Sequence, residues 1–336
     1  MKISALIQKR QFRICTFQFC EELGNLVVIL CNDYYESRNI SYLLTGQIKL
    51  DTGKIIFNSY NIYNERYRVH KMIGYVPFEP VYDSNISITQ NFRFSARLAF
   101  PPYSEEKVQQ LVEQTISNLG LEYISRIPVK NIGNSFSSEF LKVLINTGME
   151  IIRDPFVLII DLPLERLNSS NADEFCNILK SETNKGKLIM LTSINPGGCV
   201  LKRTDRLWVF DTDGYIIYRG LASNALSYFK NAGNHITTTE EICPTCGSIN
   251  ADQLHQVISS KVIDNSGKAT HIRKTSPKEW YNLYKEKIEK HEKKSESRKV
   301  IPSFASSIPD VNIQFLSYLK KCSSSFFSAP KLPCLF

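Results

Sequence analysis

The chain has 336 residues, 43% hydrophobic and 22% charged, which suits one large folded domain with extensions or two smaller ones. Its net charge of +8 gathers largely in Lys285–Lys299 and Lys320–Lys321; no nucleic-acid motif accompanies it, so it reads first as a solvated face or linker, then as contact with an acidic membrane surface, and nucleic acid is not an expected partner. Nine scattered cysteines, no secretory pattern in Met1–Arg10 and no apolar window near the roughly 20 residues of a membrane span predict a non-integral protein of a reducing compartment.

Residues 11–30 alternate apolar and polar through Phe12, Ile14, Thr16 and Gln18 and become continuously apolar at Leu26–Leu30. They read as two strands joined by a turn at Glu21–Gly24, the second a buried parallel strand. Ile40–Leu44, closed by Gly46, reads as a short helix, and Lys54–Asn58 and Met72–Pro77 as further strands. Ser87-Ile-Thr-Gln90 has the pattern of a capping box ahead of an amphipathic helix that Pro101 and Pro102 end. Ser104 opens the next helix, stopped at Gly120, and Leu141–Ile152 makes another. Phe156–Ile160, ending in Asp161, and Lys187–Ser193 are two more buried strands with a helix at Ala172–Glu182 between them. Leu207–Phe210 and Tyr215–Arg219 form a hairpin turned at Asp213–Gly214, followed by a helix over Ala225–Gly233. Buried apolar strands alternating with helices after an antiparallel start predict an α/β sandwich around a largely parallel sheet.

Composition shifts after Gly233. Asn234–Thr275 is polar and weakly patterned, Trp280–Lys294 reads as a charged helix, Ser295–Pro309 as linker, and Ile313–Leu319 as a short amphipathic segment. The expected division is therefore 1–233, 234–309 and 310–336.

Strand, tight turn and helix over Gly24–Gly46 form the layout of a phosphate-binding loop. Such a loop needs glycines so that backbone N–H groups converge on phosphate, and a Lys followed by Ser or Thr. Cys31–Asn39 has neither glycine nor lysine. Tyr34 and Tyr35 are expected to fill the cradle by packing, and Asp33 and Glu36 to repel a polyphosphate.

Gly74-Tyr-Val-Pro77, Asn91-Phe-Arg-Phe-Ser-Ala-Arg-Leu98 with Pro101-Pro102, Gly148-Met-Glu-Ile-Ile-Arg-Asp-Pro155 and Tyr228-Phe-Lys-Asn-Ala-Gly233 occur in order and at consistent gaps. Together they resemble the nucleotide-binding domain of ABC transporters of subfamily G, the White or half-transporter type, over about residues 12–233. The resemblance implies a RecA-like P-loop NTPase core, an antiparallel β-subdomain and a helical subdomain near 86–150. It also implies that two such domains sandwich two ATP molecules to drive export across a membrane.

Carried over position by position, that family's chemistry is missing. Ser37 falls at the Lys position, Arg38 and Asn39 at the Ser or Thr positions, and Phe78 at the Gln that senses magnesium. The signature is replaced around Ser137-Ser-Glu-Phe-Leu141, the Asp of the following loop is Asn168, and the switch His is Ile194. Asp161 keeps the carboxylate that holds magnesium through water, but the general base is Leu162, which cannot orient or deprotonate water. Glu165 lies in the following loop and is not assigned that role.

The expectation is a catalytically inactive cassette, with no catalytic residue, no metal and no cofactor; ATP and Mg enter only if the degenerate site still binds. Asp161 reads as an inherited strand-end carboxylate, since a lone carboxylate makes a poor magnesium site. Cys243-Pro-Thr-Cys246, near His235 and His255, is a weak metal signal without a second pair. The chain is expected to be an interaction, regulatory or vestigial transporter subunit lacking its transmembrane domain. The alternative is an ATP-binding subunit sharing a composite site with a partner. Expected partners are an ABC half-transporter or second ABC-type domain. Ile308–Lys321 resembles the amphipathic connecting helix of subfamily G, so peripheral contact through 310–321 with the cytoplasmic side of a membrane stands beside a location free in the cytoplasm.

Overall fold

The computed structural model describes residues 2–9, 12–57, 60–65, 69, 71–133, 138–232, 251–264, 268–291 and 311–328. The chain divides into two units, one comprising Met1–His70 and Ile159–Lys299, the other Lys71–Leu158 and Val300–Phe336.

In the first unit, β1 (Lys2–Lys9), β2 (Phe12–Cys20), β4 (Thr52–Phe57) and β5 (Tyr60–Asn61) form an antiparallel sheet in the order β2-β1-β4-β5. Lys2 pairs with both Cys20 and Ile56, so β1 lies between β2 and β4. The central sheet is built on β3 (Leu26–Leu30), flanked in parallel by β8 (Leu188–Ser193) and β9 (Arg206–Asp211). Its order is β10-β9-β3-β8-β7, where β10 is Tyr215–Gly220 and β7 is Val157–Ile160. Every residue of β3, β7 and β8 is buried, which is why β3, β7 and Leu188–Leu191 of β8 read as apolar runs rather than alternations. The β9–β10 hairpin turns through Asp213 (φ 65°) and Gly214 (φ 68°), the left-handed pair that an Asp-Gly turn supplies.

Two helices flank this sheet near its carboxyl ends, α1 (Tyr34–Leu44) and α5 (Ser169–Asn184). Helix α1 starts six residues earlier than the apolar pattern at Ile40 suggests, because Asp33 caps it. The polar stretch after Gly233 is likewise more ordered than its composition implies. Its described part folds as α8 (Ala251–Ile258), the hairpin β11 (Lys261–Ile263) and β12 (Ala269–Arg273), and α9 (Pro277–Lys287). Trp280 of α9 is 0% exposed, stands edge-on to Phe229 at 5.2 Å, and donates its indole N–H to Ile258 O at 3.3 Å. Arg273 holds the buried Asp211 carboxylate at 2.8 and 3.0 Å.

The second unit contains β6 (Ile73–Val76), the start of β7, and helices α2 (Ile88–Ala99), α3 (Glu105–Asn118), α4 (Ser138–Ile151) and α10 (Val311–Ser328). The capping box at Ser87 and Gln90 forms as the sequence predicts, with both reciprocal bonds present. Gly148 lets α4 meet α2: a Cβ there would sit 2.4 Å from Phe92 Cζ. Helix α10 packs near α2 with its polar side inward. Over residues 311–324 its least exposed side chains are Ser317, Lys321 and Ser324. Val311, Phe315 and Tyr318 instead face solvent, at 73%, 61% and 68% exposure. Among the described residues no helix is long and apolar enough to cross a membrane.

Candidate functional site

The turn from β3 into α1 occupies only Cys31, Asn32 and Asp33. Asp33 is extended (φ −153°) and its Oδ1 accepts the Glu36 N–H at 2.8 Å, capping the helix. Glu36 reaches back in return: its Oε2 accepts the Asn32 backbone N–H at 2.7 Å and Asn32 Nδ2 at 2.8 Å. A carboxylate of the protein thus takes the backbone donor that a phosphate loop keeps for its ligand. Glu36 is buried, and its pKa is pushed up to about 7, chiefly by burial and further by Asp33 and Asp211, against the lowering effect of its bonds to Asn32. Tyr34 and Tyr35 do not fill the cradle as expected; they stand 55% and 50% exposed, and Glu36 takes that place. The reason is helical phase, since the first turn of α1 points residue 36 inward and residues 34 and 35 outward.

One turn on, Ser37 is fully buried, with Oγ 2.7 Å from Asp161 Oδ1, to which it donates, and 2.7 Å from Thr192 Oγ1. Ser41 and Thr192 hydroxyls lie 3.3 and 3.2 Å from the same oxygen. The strand-end carboxylate expected as a remnant is therefore enclosed by hydroxyls. Its Oδ2 has no hydrogen bond and lies 4.0 Å from Arg38 Nε. Arg38 projects to solvent, and Asn39 Nδ2 is turned onto Tyr35 O at 2.7 Å. Leu162, at the base position, is buried with φ 47° and donates its N–H to Thr192 Oγ1 at 3.0 Å. Asn168 caps α5 by accepting the Asn171 N–H at 2.9 Å, an ordinary structural task.

Glu165 does more than occupy a loop. Its Oε1 accepts the Ser193 hydroxyl at 2.8 Å and the Ile194 N–H at 2.7 Å, and burial raises its pKa. The thiol of buried Cys31 is raised too, first by burial and then by the carboxylates of Glu36, Asp161, Glu165 and Asp33. Those four acidic groups gather at this end of the sheet, where a phosphate loop presents backbone donors instead. The residues present do not fit a magnesium-bound triphosphate: the Asn32 N–H is taken by Glu36, and Cys31–Asn39 has neither glycine nor lysine.

In the second unit, Phe78 is half-buried in a loop pinned by Asn146, whose Nδ2 donates to Glu79 O at 3.2 Å and whose Oδ1 accepts the Val81 N–H at 3.0 Å. Of the signature positions, Ser137 lies outside the described residues. Phe140 and Leu141 are packed into the core, and Glu139 pairs with Lys142 at 2.6 Å. The Cys243–Cys246 pair and His235 also lie outside the described residues.

No family model matches the chain. It is 28% identical to putative white-brown complex homolog protein 30 of Arabidopsis thaliana over 194 residues, 57% of this chain and 18% of that one. Against ABC transporter G family member 28 of Arabidopsis thaliana the identity is 29% over 205 residues, 60% of this chain and 18% of the relative. The broad substrate specificity ATP-binding cassette transporter ABCG2 of Mus musculus is 30% identical over 165 residues, 48% of this chain and 25% of that protein. The chain is homologous to the ATP-binding cassettes of G-family ABC transporters. The cassette spans a quarter or less of the length of these relatives. Its fold agrees with solved cassettes. It superposes on an ATP-binding cassette of an ABC transporter in an ADP conformation with TM-score 0.57 at 17% identity, covering 67% of this chain and 94% of that one. With cbiO1 from Clostridium perfringens, part of the ABC transporter complex cbiONQ, the TM-score is 0.59 at 17% identity, covering 70% and 94%.

The sequence names Glu36 as a charge against a polyphosphate, but its hydrogen bonds across the turn are what matter most. Their signal was present: Asp33-x-x-Glu36 has the spacing of a capping box, which places residue 36 back over the turn. A pH dependence follows. The folded pKa lies above the unfolded value of 4.5, so the native state binds the proton more tightly, and stability falls as pH rises through 4.5 to about 7. The contribution is about 3 kcal/mol at most. Urea unfolding at pH 5 and pH 7.5 is expected to show a difference that Glu36→Gln largely removes; equal slopes in both proteins would contradict the assignment.

Proposed function

We propose that this cassette neither holds nor hydrolyses ATP, and that it serves a transport system as a docking or regulatory subunit. The observation that carries this is the Glu36 carboxylate on the Asn32 amide, set among Asp33, Asp161 and Glu165. Each lost preorganised electrostatic contact costs about 3–4 kcal/mol in a transition state, and the loop lysine, the base and the signature are all replaced. The fold is what remains to be used, and a second cassette or an ABC half-transporter is the partner it suits. The alternative, an ATP-binding subunit completing a composite site with a partner, predicts phosphate release when the two are mixed. The inactive reading predicts release at the uncatalysed rate from this chain alone, and no contribution from a site built on Cys31–Asn39 in the mixture.

A second reading, contact with a membrane surface, is favoured by α10. Its outward stripe of Val311, Phe315 and Tyr318 carries apolar and aromatic area, no acidic residue occurs in Val311–Ser328, and Lys320 is exposed. Co-sedimentation with vesicles containing anionic phospholipid is expected to weaken at least fivefold in a Phe315→Ser/Tyr318→Ser variant. Equal pelleting of the two proteins would remove this reading.

A further inference from the structure

We propose that helix α8 is a clamp on the loop that follows β8, and that His255 is its positioning residue. The loop begins at Ile194, and both backbone groups of that residue are taken. Glu165 Oε1 accepts its N–H at 2.7 Å, and His255 Nε2 lies 3.0 Å from its carbonyl oxygen, reaching there from 61 residues further along the chain. A carbonyl oxygen only accepts, so the ring must carry a proton on Nε2. Asp252, one turn before His255, faces the neighbouring residue, with Oδ1 3.5 Å from Asn195 Nδ2. Glu165 spends one oxygen on two donors of this loop, Ser193 Oγ and Ile194 N, while its other oxygen is buried without a hydrogen bond.

Helix α8 is itself held firmly enough to act as a clamp. Leu254 is fully buried and Ile258 nearly so, packed toward α7 (Ala225–Ala232), and the Ile258 carbonyl accepts the Trp280 indole N–H. The clamped loop leaves the carboxyl end of β8, a parallel strand at the centre of the sheet, which is the edge where α/β sheets take ligands. In this chain the extension after residue 250 therefore secures that edge against the rearrangement a ligand would need, an intramolecular contact of an autoinhibitory kind. The contact is made by residues outside Cys31–Asn39 and is tested without nucleotide, so the inference stands apart from the inactive-cassette reading.

Hydrogen exchange of the full chain tests it. His255→Phe keeps a ring of similar size and removes the donor. Exchange in peptides covering 193–199 is expected to rise about two- to tenfold, the loss of one net hydrogen bond, with the thermal midpoint little changed. His255→Gln restores an N–H donor at comparable reach and is expected to return exchange toward the parent value. Unchanged exchange in His255→Phe would overturn the proposal, as would a Gln variant exchanging as fast as the Phe variant. Nitrogen NMR of the neutral ring is expected to place the proton on Nε2; a proton on Nδ1 alone would overturn it as well.

Discussion

Replacing Glu21 with alanine is expected to lower unfolding free energy by about 3–5 kcal/mol, the cost of breaking a buried ion pair by removing one partner. Glu21 and Arg219 are both almost wholly buried, and Arg219 Nε lies 3.0 Å from Glu21 Oε1. The same oxygen accepts the Trp208 indole N–H at 3.0 Å, and Arg206 Nε stands 3.9 Å away. One carboxylate therefore serves donors from both strands of the β9–β10 hairpin, at the chain's entry into β3. Without it a guanidinium and an indole N–H are left in the interior. A Glu21→Leu/Arg219→Met double variant is expected to recover most of the loss, since apolar replacement of a whole buried pair is often neutral. Urea denaturation of the three proteins measures both effects, and a loss below about 1 kcal/mol in Glu21→Ala would show that the pair does not hold the hairpin.

The second large effect is expected at Trp280. Its truncation to alanine removes a fully buried indole between Phe229 and the Ile258 carbonyl, and large-to-small changes of this type cost about 3–5 kcal/mol. The residue lies in a stretch whose composition resembles a solvated extension, so the result discriminates sharply. A loss of that size in a single cooperative transition makes residues 251–291 part of the first unit's core. A separate low-temperature transition, with the main one unmoved, would make them an appendage.

How far the sequence could be read depended on whether the signal was local. Leu26–Leu30, Phe156–Ile160 and Leu188–Leu191 announced themselves because strands buried on both faces are largely apolar. Ser87–Gln90 and Asp213–Gly214 announced themselves because caps and tight turns are written in neighbouring residues. The start of α1 was misplaced because Tyr34, Tyr35 and Glu36 look polar or bulky rather than helical, although Asp33 and Glu36 stand at capping distance. Strand β1 was missed because its short alternation was weighed only as a failed leader. The helix at Trp280 is legible, but Ala251–Ile258 and the β11–β12 hairpin are not, because apolar residues such as Leu254 and Ile258 are few and widely spaced there. His255 on Ile194 had no local signal at all, since nothing but tertiary packing brings those residues together. The candidate site was legible as a list of replaced residues, and what the sequence could not show was what fills the space they left.

The turn at Asn32–Asp33 is closed by the chain's own Glu36 carboxylate, and the proposal that it takes no triphosphate follows from that closure. Isothermal titration of the full chain with Mg-ATP at neutral pH addresses it most directly. No saturable heat is expected up to about 1 mM nucleotide, a ceiling of about 4 kcal/mol in binding free energy. A saturating isotherm with a micromolar Kd would contradict it.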